Sequence, residues 1–366
     1  MLKVYGLKVS YFTGKLEAYL RYKEIPYEFC PMTAREFMRT IPEKTGAMQM
    51  PAVELPNGRW LTDTSPMIDW FETQHASAPI LPEDPAQAYL CRLIEDYADE
   101  WLWRPAMHYR WSYPLSSKLL ARQISDAMGR EIKAPGFLKR RRTEKRQKHN
   151  FVDRDGVTPE TRAHVEGSYL KLLDMLEAIF QTRPFLLGDR PTLADIGLMG
   201  PLFRHFAMDP VPGILMRENA SGVMAWVYRV WNARASHTGT KTGGNLISGV
   251  PDDLLPLLRE VAETHLEALN ANALAWRAGE KRHGMTIQGT AYRDIQTSQY
   301  RVWCLEKLQA HYRALDDNAL IALDPVLQAT GVLEPLLRLP SVDSSYANAQ
   351  SAPFGKSLPV FAEIRN

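Results

Sequence analysis

The chain has 366 residues, 45% of them hydrophobic and 23% charged, with a formal net charge of +2. That length calls for more than one core, so two or three domains are expected. The near balance of charge gives no overall pull toward nucleic acid or an anionic membrane surface, and no run of about 18 apolar residues marks a helical membrane span.

The first 75 residues carry the mixed signals of an α/β unit. "LKVYGLKV" reads as a strand and opens the chain without a signal pattern. Residues 14–24 place Leu16, Tyr19 and Leu20 at helical spacing. A second strand over 26–32 and a short helix over 33–41 follow. "PAVEL" (51–55) and "RWLTDT" (59–64) flank Pro56-Asn57-Gly58, and Asn-Gly between two strand-like runs predicts a hairpin. "SPMIDWFETQH" (65–75) begins with Ser65 at an N-cap position and Pro66 at the first helical position. The order is β-α-β-α-β-β-α.

A proline-rich linker spans 76–87, and from about 86 to 234 the pattern is helical. Its clearest helix is 161–183, with apolar residues three and four apart. Thr192 followed by Asp195 predicts a capping box, a structural device that satisfies backbone N–H groups at a helix start. A Gly-, Ser- and Thr-rich loop over 235–250 leads to expected helices at 252–275 and 291–315 and a broken one at 317–338. The last 27 residues read as an extended tail. Cys30, Cys91 and Cys304 are far apart, lack metal-ligand spacing, and fit free thiols of a reducing compartment, with the cytoplasm as the expected location. No metal site is expected.

Four segments in order resemble the glutathione S-transferase superfamily: "SYFTGKLEAYLRYKEIPYEF" (10–29), "MQMPAVEL" (48–55), the helix start Thr64-Ser65-Pro66-Met67-Ile68, and "FLLGDRPTLADIGL" (185–198). The resemblance covers roughly 1–235. It implies an α/β thioredoxin-like domain (1–77), then an all-α transferase-type domain (86–235). Residues 236–366 form an extension with extra helices and a tail, without a counterpart in ordinary members. It further implies glutathione as co-substrate, a homodimer, and an enzyme that activates the glutathione thiol for attack on a hydrophobic or aromatic electrophile. The alternative is a non-catalytic binding or assembly module of the same fold.

In such a site only the thiolate reacts well, and a free thiol has a pKa of about 8.5. A hydroxyl at a helix N-terminus stabilises the anion through a directed hydrogen bond and the local dipole. The turn before the first helix holds Ser10, Tyr11 and Thr13 and no cysteine. Register against Ile25-Pro26 puts Ser10 on the family's catalytic position, with Tyr11 one residue away. A cap and a thiolate donor can be the same residue. Without a thiol there, exchange through an enzyme disulfide is not expected. The resemblance also implies a cis Met50-Pro51 step whose backbone pairs with the cysteinyl moiety, and Ser65 holding the γ-glutamyl carboxylate. Thr64 stands in place of the usual Glu or Gln.

The aromatic stretch 95–114 offers Trp103, His108, Tyr109 and Trp111 as candidates for a substrate pocket, though aromatics at helical spacing more often fill a core. "KRRRTEKRQKH" (139–149) reads first as a solvated face. Nucleic-acid contact is not expected, because no aromatics are interleaved with the basic residues. The extension's 300–315 segment has Val302, Leu305, Leu308 and Tyr312 on one face and should pack on something.

Overall fold

A computed structural model of the protein describes residues 1–237 and 245–346. Strand β1 (Leu2–Gly6) leads into helix α1 (Tyr11–Tyr22) and strand β2 (Tyr27–Pro31). A π-helical stretch, Glu36–Thr40, runs into α2 (Ile41–Thr45), and β3 (Ala52–Glu54), β4 (Trp60–Thr62) and α3 (Thr64–Gln74) complete the unit. The sheet order is β2-β1-β3-β4, with β1 parallel to β2 and the other neighbours antiparallel. This is the thioredoxin-like arrangement. The hairpin turns where expected: Gly58 adopts φ 81°, and Asn57 Oδ1 accepts the Arg59 N–H at 3.1 Å. The Met50-Pro51 peptide is cis and leads into β3.

Two helix starts differ from the sequence reading. Helix α1 begins at Tyr11 because Ser10 is its N-cap, accepting the Thr13 N–H at 3.4 Å. Helix α3 begins at Thr64, with Asp63 at the N-cap position in a positive-φ conformation (φ 72°, ψ 111°). The Met67 N–H reaches the Asp63 carbonyl at 3.0 Å and closes the first turn there, two residues earlier than a Ser65 cap would allow.

The helical part comprises α4 (Pro85–Asp96), α5 (Trp103–Trp111), α6 (Pro114–Met128), α7 (Gly136–Phe151), α8 (Arg162–Phe180), α9 (Leu193–Pro201), α10 (Pro210–Asn219) and α11 (Ser221–Asn232). Helix α9 is central, packing against α1 on one side and α4 on the other. Its capping box forms between Thr192 and Asp195, and Asp195 also accepts the Leu186 N–H at 3.0 Å and Trp226 Nε1 at 2.9 Å. Those donors fix the preceding loop and α11 to the helix start. Helix α7, which carries the basic run, buries none of its residues.

The extension contains α12 (Leu255–Glu260), α13 (Glu267–Arg277), strands β5 (Arg282–Ile287) and β6 (Thr290–Gln296), α14 (Gln299–Arg313), α15 (Asp317–Ala329) and α16 (Leu333–Leu337). The hairpin β5–β6 corrects the helix expected from 291. His283, Met285 and Ile287 alternate into the interior, and Gln288 and Gly289 both take positive φ at the turn. Helices α14 and α15 lie along α4. Positions 238–244 of the expected loop and 347–366 of the expected tail lie outside the described residues.

Helix α1 is enclosed on most sides, which is why Gly14 sits inside it: a Cβ there would overlap Cγ of Arg204. Gly14→Ala is expected to lower stability by about 1–3 kcal/mol through overpacking, measured by chemical denaturation.

Candidate functional site

The turn between β1 and α1 is gripped from the helical part. Arg110 of α5 donates Nη1 to the Val9 carbonyl at 2.8 Å and Nη2 to the Arg204 carbonyl at 2.7 Å. It also forks onto Asp209 at 2.7 and 2.9 Å. Arg204 donates to the Lys8 carbonyl and, at 2.9 Å, to Glu17 Oε2 of α1. Both guanidiniums are buried. The two carbonyls preceding Ser10 are therefore held by charged donors, and Ser10 is presented at a fixed place.

The four residues of the turn then point in different directions. Ser10 is half-buried; its Oγ accepts from the Thr13 N–H, which leaves its own proton to donate. Tyr11 faces the helical core and its phenol donates to the Ala98 carbonyl at 2.5 Å. Burial, with Asp99 and Glu100 nearby, pushes that phenol well above the usual range. The Tyr11 proton is thereby committed to a buried carbonyl. Thr13 is buried against Gly6. Phe12 stacks on Trp103 with ring centroids 5.7 Å apart and planes 14° from parallel. Both rings are half-buried, forming an apolar wall beside Ser10.

At the start of α3 the side chains divide differently from the sequence expectation. Thr64, the first helical residue, is buried, while the Ser65 hydroxyl donates to Glu95 Oε1 at 2.8 Å and accepts from Lys15 Nζ at 3.1 Å. Lys15 in turn binds Glu95 at 2.6 Å and Asp99 at 2.5 Å with its ammonium fully enclosed. Ser65 is thus not the cap, and its hydroxyl belongs to a buried ion cluster. Backbone N–H groups of Thr64 and Ser65 have no bond among the described residues, as first-turn groups require an outside partner. Pro66 offers none.

Of the four aromatic-stretch candidates, Trp103 alone adjoins the turn. Tyr109 stacks on Tyr113 at 5.5 Å and meets Tyr169 edge-on at 5.2 Å, deep between α5 and α8. Trp111 is likewise buried. His108 binds Glu166 at 2.8 Å, and burial lowers its basicity despite that partner. All three expected pocket residues are buried in the helical core, where enclosing large rings is stabilising. The sequence reading missed Phe12 and His205, whose ring lies 5.0 Å from that of Tyr11. His205 is held neutral by burial and by Arg110. Its place between Arg204 and Phe206 was the available signal. Among the described residues no group of three or more His, Cys, Asp or Glu has a metal-binding arrangement.

A cavity of about 340 Å³ runs from Ser65 along α3, between Trp70 and Asp69 on one side and Tyr300, Trp303 and Lys307 of α14 on the other. Its floor includes Glu95 and Asp99. The extension therefore walls the region next to the α3 start.

Residues 4–79 match the family model described as glutathione S-transferase, N-terminal domain, and residues 148–233 the one described as glutathione S-transferase, C-terminal domain. No curated protein matches the chain in sequence. Among solved structures it is similar to the beta-etherase LigF from Sphingobium sp. strain SYK-6, at 18% identity and a TM-score of 0.44, covering 63% of this chain and 94% of that one. It is also similar to a glutathione S-transferase from Methylobacterium radiotolerans in complex with glutathione sulfonate, at 17% identity and a TM-score of 0.38, covering 69% and 98%. A third, FzlA from C. crescentus, is 14% identical with a TM-score of 0.39, covering 69% and 96%.

Lys15 is the counter-ion of two buried carboxylates, and burial, countered by Lys15 itself, already pushes Asp99 well above the usual carboxylate range. Lys15→Met is expected to cost about 3–5 kcal/mol near neutral pH. Without the ammonium the folded-state pKa of Asp99 rises further. Its protonated form is tolerated at low pH, so the loss grows as pH rises. Denaturation curves across acidic to alkaline pH check both the size and the sign.

Proposed function

The chain belongs to the glutathione S-transferase superfamily, and from that premise we propose that it is a glutathione transferase-type enzyme acting on a hydrophobic or aromatic electrophile. The Ser10 hydroxyl donates to the glutathione sulfur and holds it as the thiolate. The thiol proton leaves to solvent. The sulfur lone pair then forms a carbon–sulfur bond while the leaving group departs with its bonding pair.

The observation that carries this reading is the division of labour in the turn. The Ser10 oxygen is used as a cap and its proton is free, whereas the Tyr11 proton is occupied by Ala98. An anion beside Ser10 also sits at the N-terminus of α1, where unpaired N–H groups and the dipole favour negative charge. The Phe12–Trp103 wall suits the apolar body of an electrophile.

For the rest of glutathione, the backbone of Met50, before the cis Pro51, pairs with the cysteinyl moiety. The N–H groups of Thr64 and Ser65 receive the γ-glutamyl carboxylate. The α3 register supports Asp63 as the acidic residue of this motif and Thr64 as its hydroxyl residue, each shifted by one from the sequence alignment.

Ser10→Ala should lower kcat about 10- to 100-fold, since a hydrogen bond to a charged group contributes about 1.5–3 kcal/mol. Tyr11→Phe should leave kcat nearly unchanged and reduce stability by about 1–3 kcal/mol, because the Ala98 carbonyl loses its buried donor. Conjugation assays and thermal melts on both variants read these effects. If Ser10→Ala kept full activity the assignment would be wrong, and glutathione binding without turnover on any electrophile would favour the non-catalytic module.

A further inference from the structure

The carboxylate of Asp63 occupies the N-cap position of α3 yet makes no cap bond to its own helix. Asp ordinarily accepts from the second or third N–H there. Its backbone is held at positive φ, 72°, a conformation that is costly for a non-glycine residue and persists only where surroundings impose it. Among the described residues one group holds the carboxylate: the Tyr300 hydroxyl, 237 positions further along the chain, which donates to Asp63 Oδ1 at 3.1 Å. The second oxygen, Oδ2, has no hydrogen-bond partner among the described residues, and the adjoining Thr64 and Ser65 N–H groups are likewise open.

Tyr300 is not there by the accident of a loose helix. The start of α14 is tied down on three sides. Ser298 caps it and exchanges two 2.8 Å bonds with Asn272 of α13. Arg301 bridges Glu100 and Asp155, each at 3.1 Å. The Tyr300 ring packs on Trp303 at 5.4 Å. A phenol anchored this firmly, meeting a carboxylate turned away from its own helix, constrains where that carboxylate points.

We propose that Tyr300 is a positioning residue of the glutathione site: by holding one oxygen of Asp63 it aims the other at the γ-glutamyl ammonium. The inference rests on the reading of the site given above. On it, the C-terminal extension supplies a functional part of the site, and specificity for a free α-amino group on the thiol co-substrate depends on α14.

The charge of Asp63 is set by its surroundings. Its carboxyl is pushed up to about 7, first by burial and then by Glu95 and Glu100, with Lys15 and the Tyr300 hydroxyl pulling it down. Cys304 and Tyr346 also face it. An ammonium is recognised by the ionised form, so affinity falls as pH drops through about 7. Removing the Tyr300 hydroxyl removes a bond to the carboxylate and moves that midpoint upward.

The test is calorimetric titration of the full chain with glutathione and with glutathione acetylated on its α-amino group, each across pH. Tyr300→Phe should weaken glutathione binding about 3- to 10-fold, raise the pH midpoint, and leave the acetylated ligand unaffected. Asp63→Asn should abolish the pH dependence and lower glutathione affinity, with no further loss on adding Tyr300→Phe. A merely structural tyrosine would shift the melting temperature and both ligands together, with the midpoint unmoved; that result overturns the inference and leaves the transferase reading standing. Wild-type protein that binds no glutathione overturns both. If Tyr300→Phe fails to fold, Asp63→Asn that keeps wild-type affinity and midpoint overturns the inference by itself.

Discussion

Charge buried at the seam between α1 and the helical part is the constraint on which the rest of the structure depends. Lys15 and Glu17 lie on a helix with almost no solvent-facing side, and Arg110 and Arg204 come at it from across the seam. An unpaired ion there costs several kcal/mol, so each must be matched by a partner of fixed geometry. Lys15 is matched by Glu95 and Asp99, Glu17 by Arg204, and Arg110 by Asp209. These pairs contribute less as net stabilisation than as a demand for one relative placement of the two parts. The surplus donors of the two arginines go to the Lys8 and Val9 carbonyls, and the placement of Ser10 follows from that.

The same seam explains the chemistry proposed for the turn. A tyrosine whose proton is spent on Ala98 becomes a strut. A serine whose oxygen caps the helix keeps a proton to give. The choice between two neighbouring hydroxyls is therefore made by which one the helical part captures. Phe12 stacks on Trp103 and gives the turn a half-buried apolar face.

Much of this was legible in the sequence, and the limits have physical causes. Local signals carried through: the Asn57-Gly58 turn, the Thr192–Asp195 box and the amphipathic helices are short-range features whose partners lie within a few residues. The cap at Asp63 was missed because Ser65-Pro66 is the stronger local signal, and only the way β4 hands the chain to α3 sets the earlier start. The hairpin 282–296 was hidden because Ala291, Tyr292 and Ile295 also fit helical spacing; the alternation of His283, Met285 and Ile287 was the signal to weigh against it. Pairs such as Lys15 with Asp99, or Asp63 with Tyr300, span 84 and 237 positions, and no pattern in one sequence announces them. Tyr109 and Trp111 looked like pocket residues because helical spacing does not say which face is the core.

The most direct measurement is the pKa of the glutathione thiol when bound to the full chain, followed by thiolate absorbance in the ultraviolet. Stabilisation by Ser10 at the start of α1 predicts a value clearly below the free thiol's, about 8.5, and its return toward that value in Ser10→Ala. A bound thiol that titrates like the free one in the wild-type protein would contradict the account.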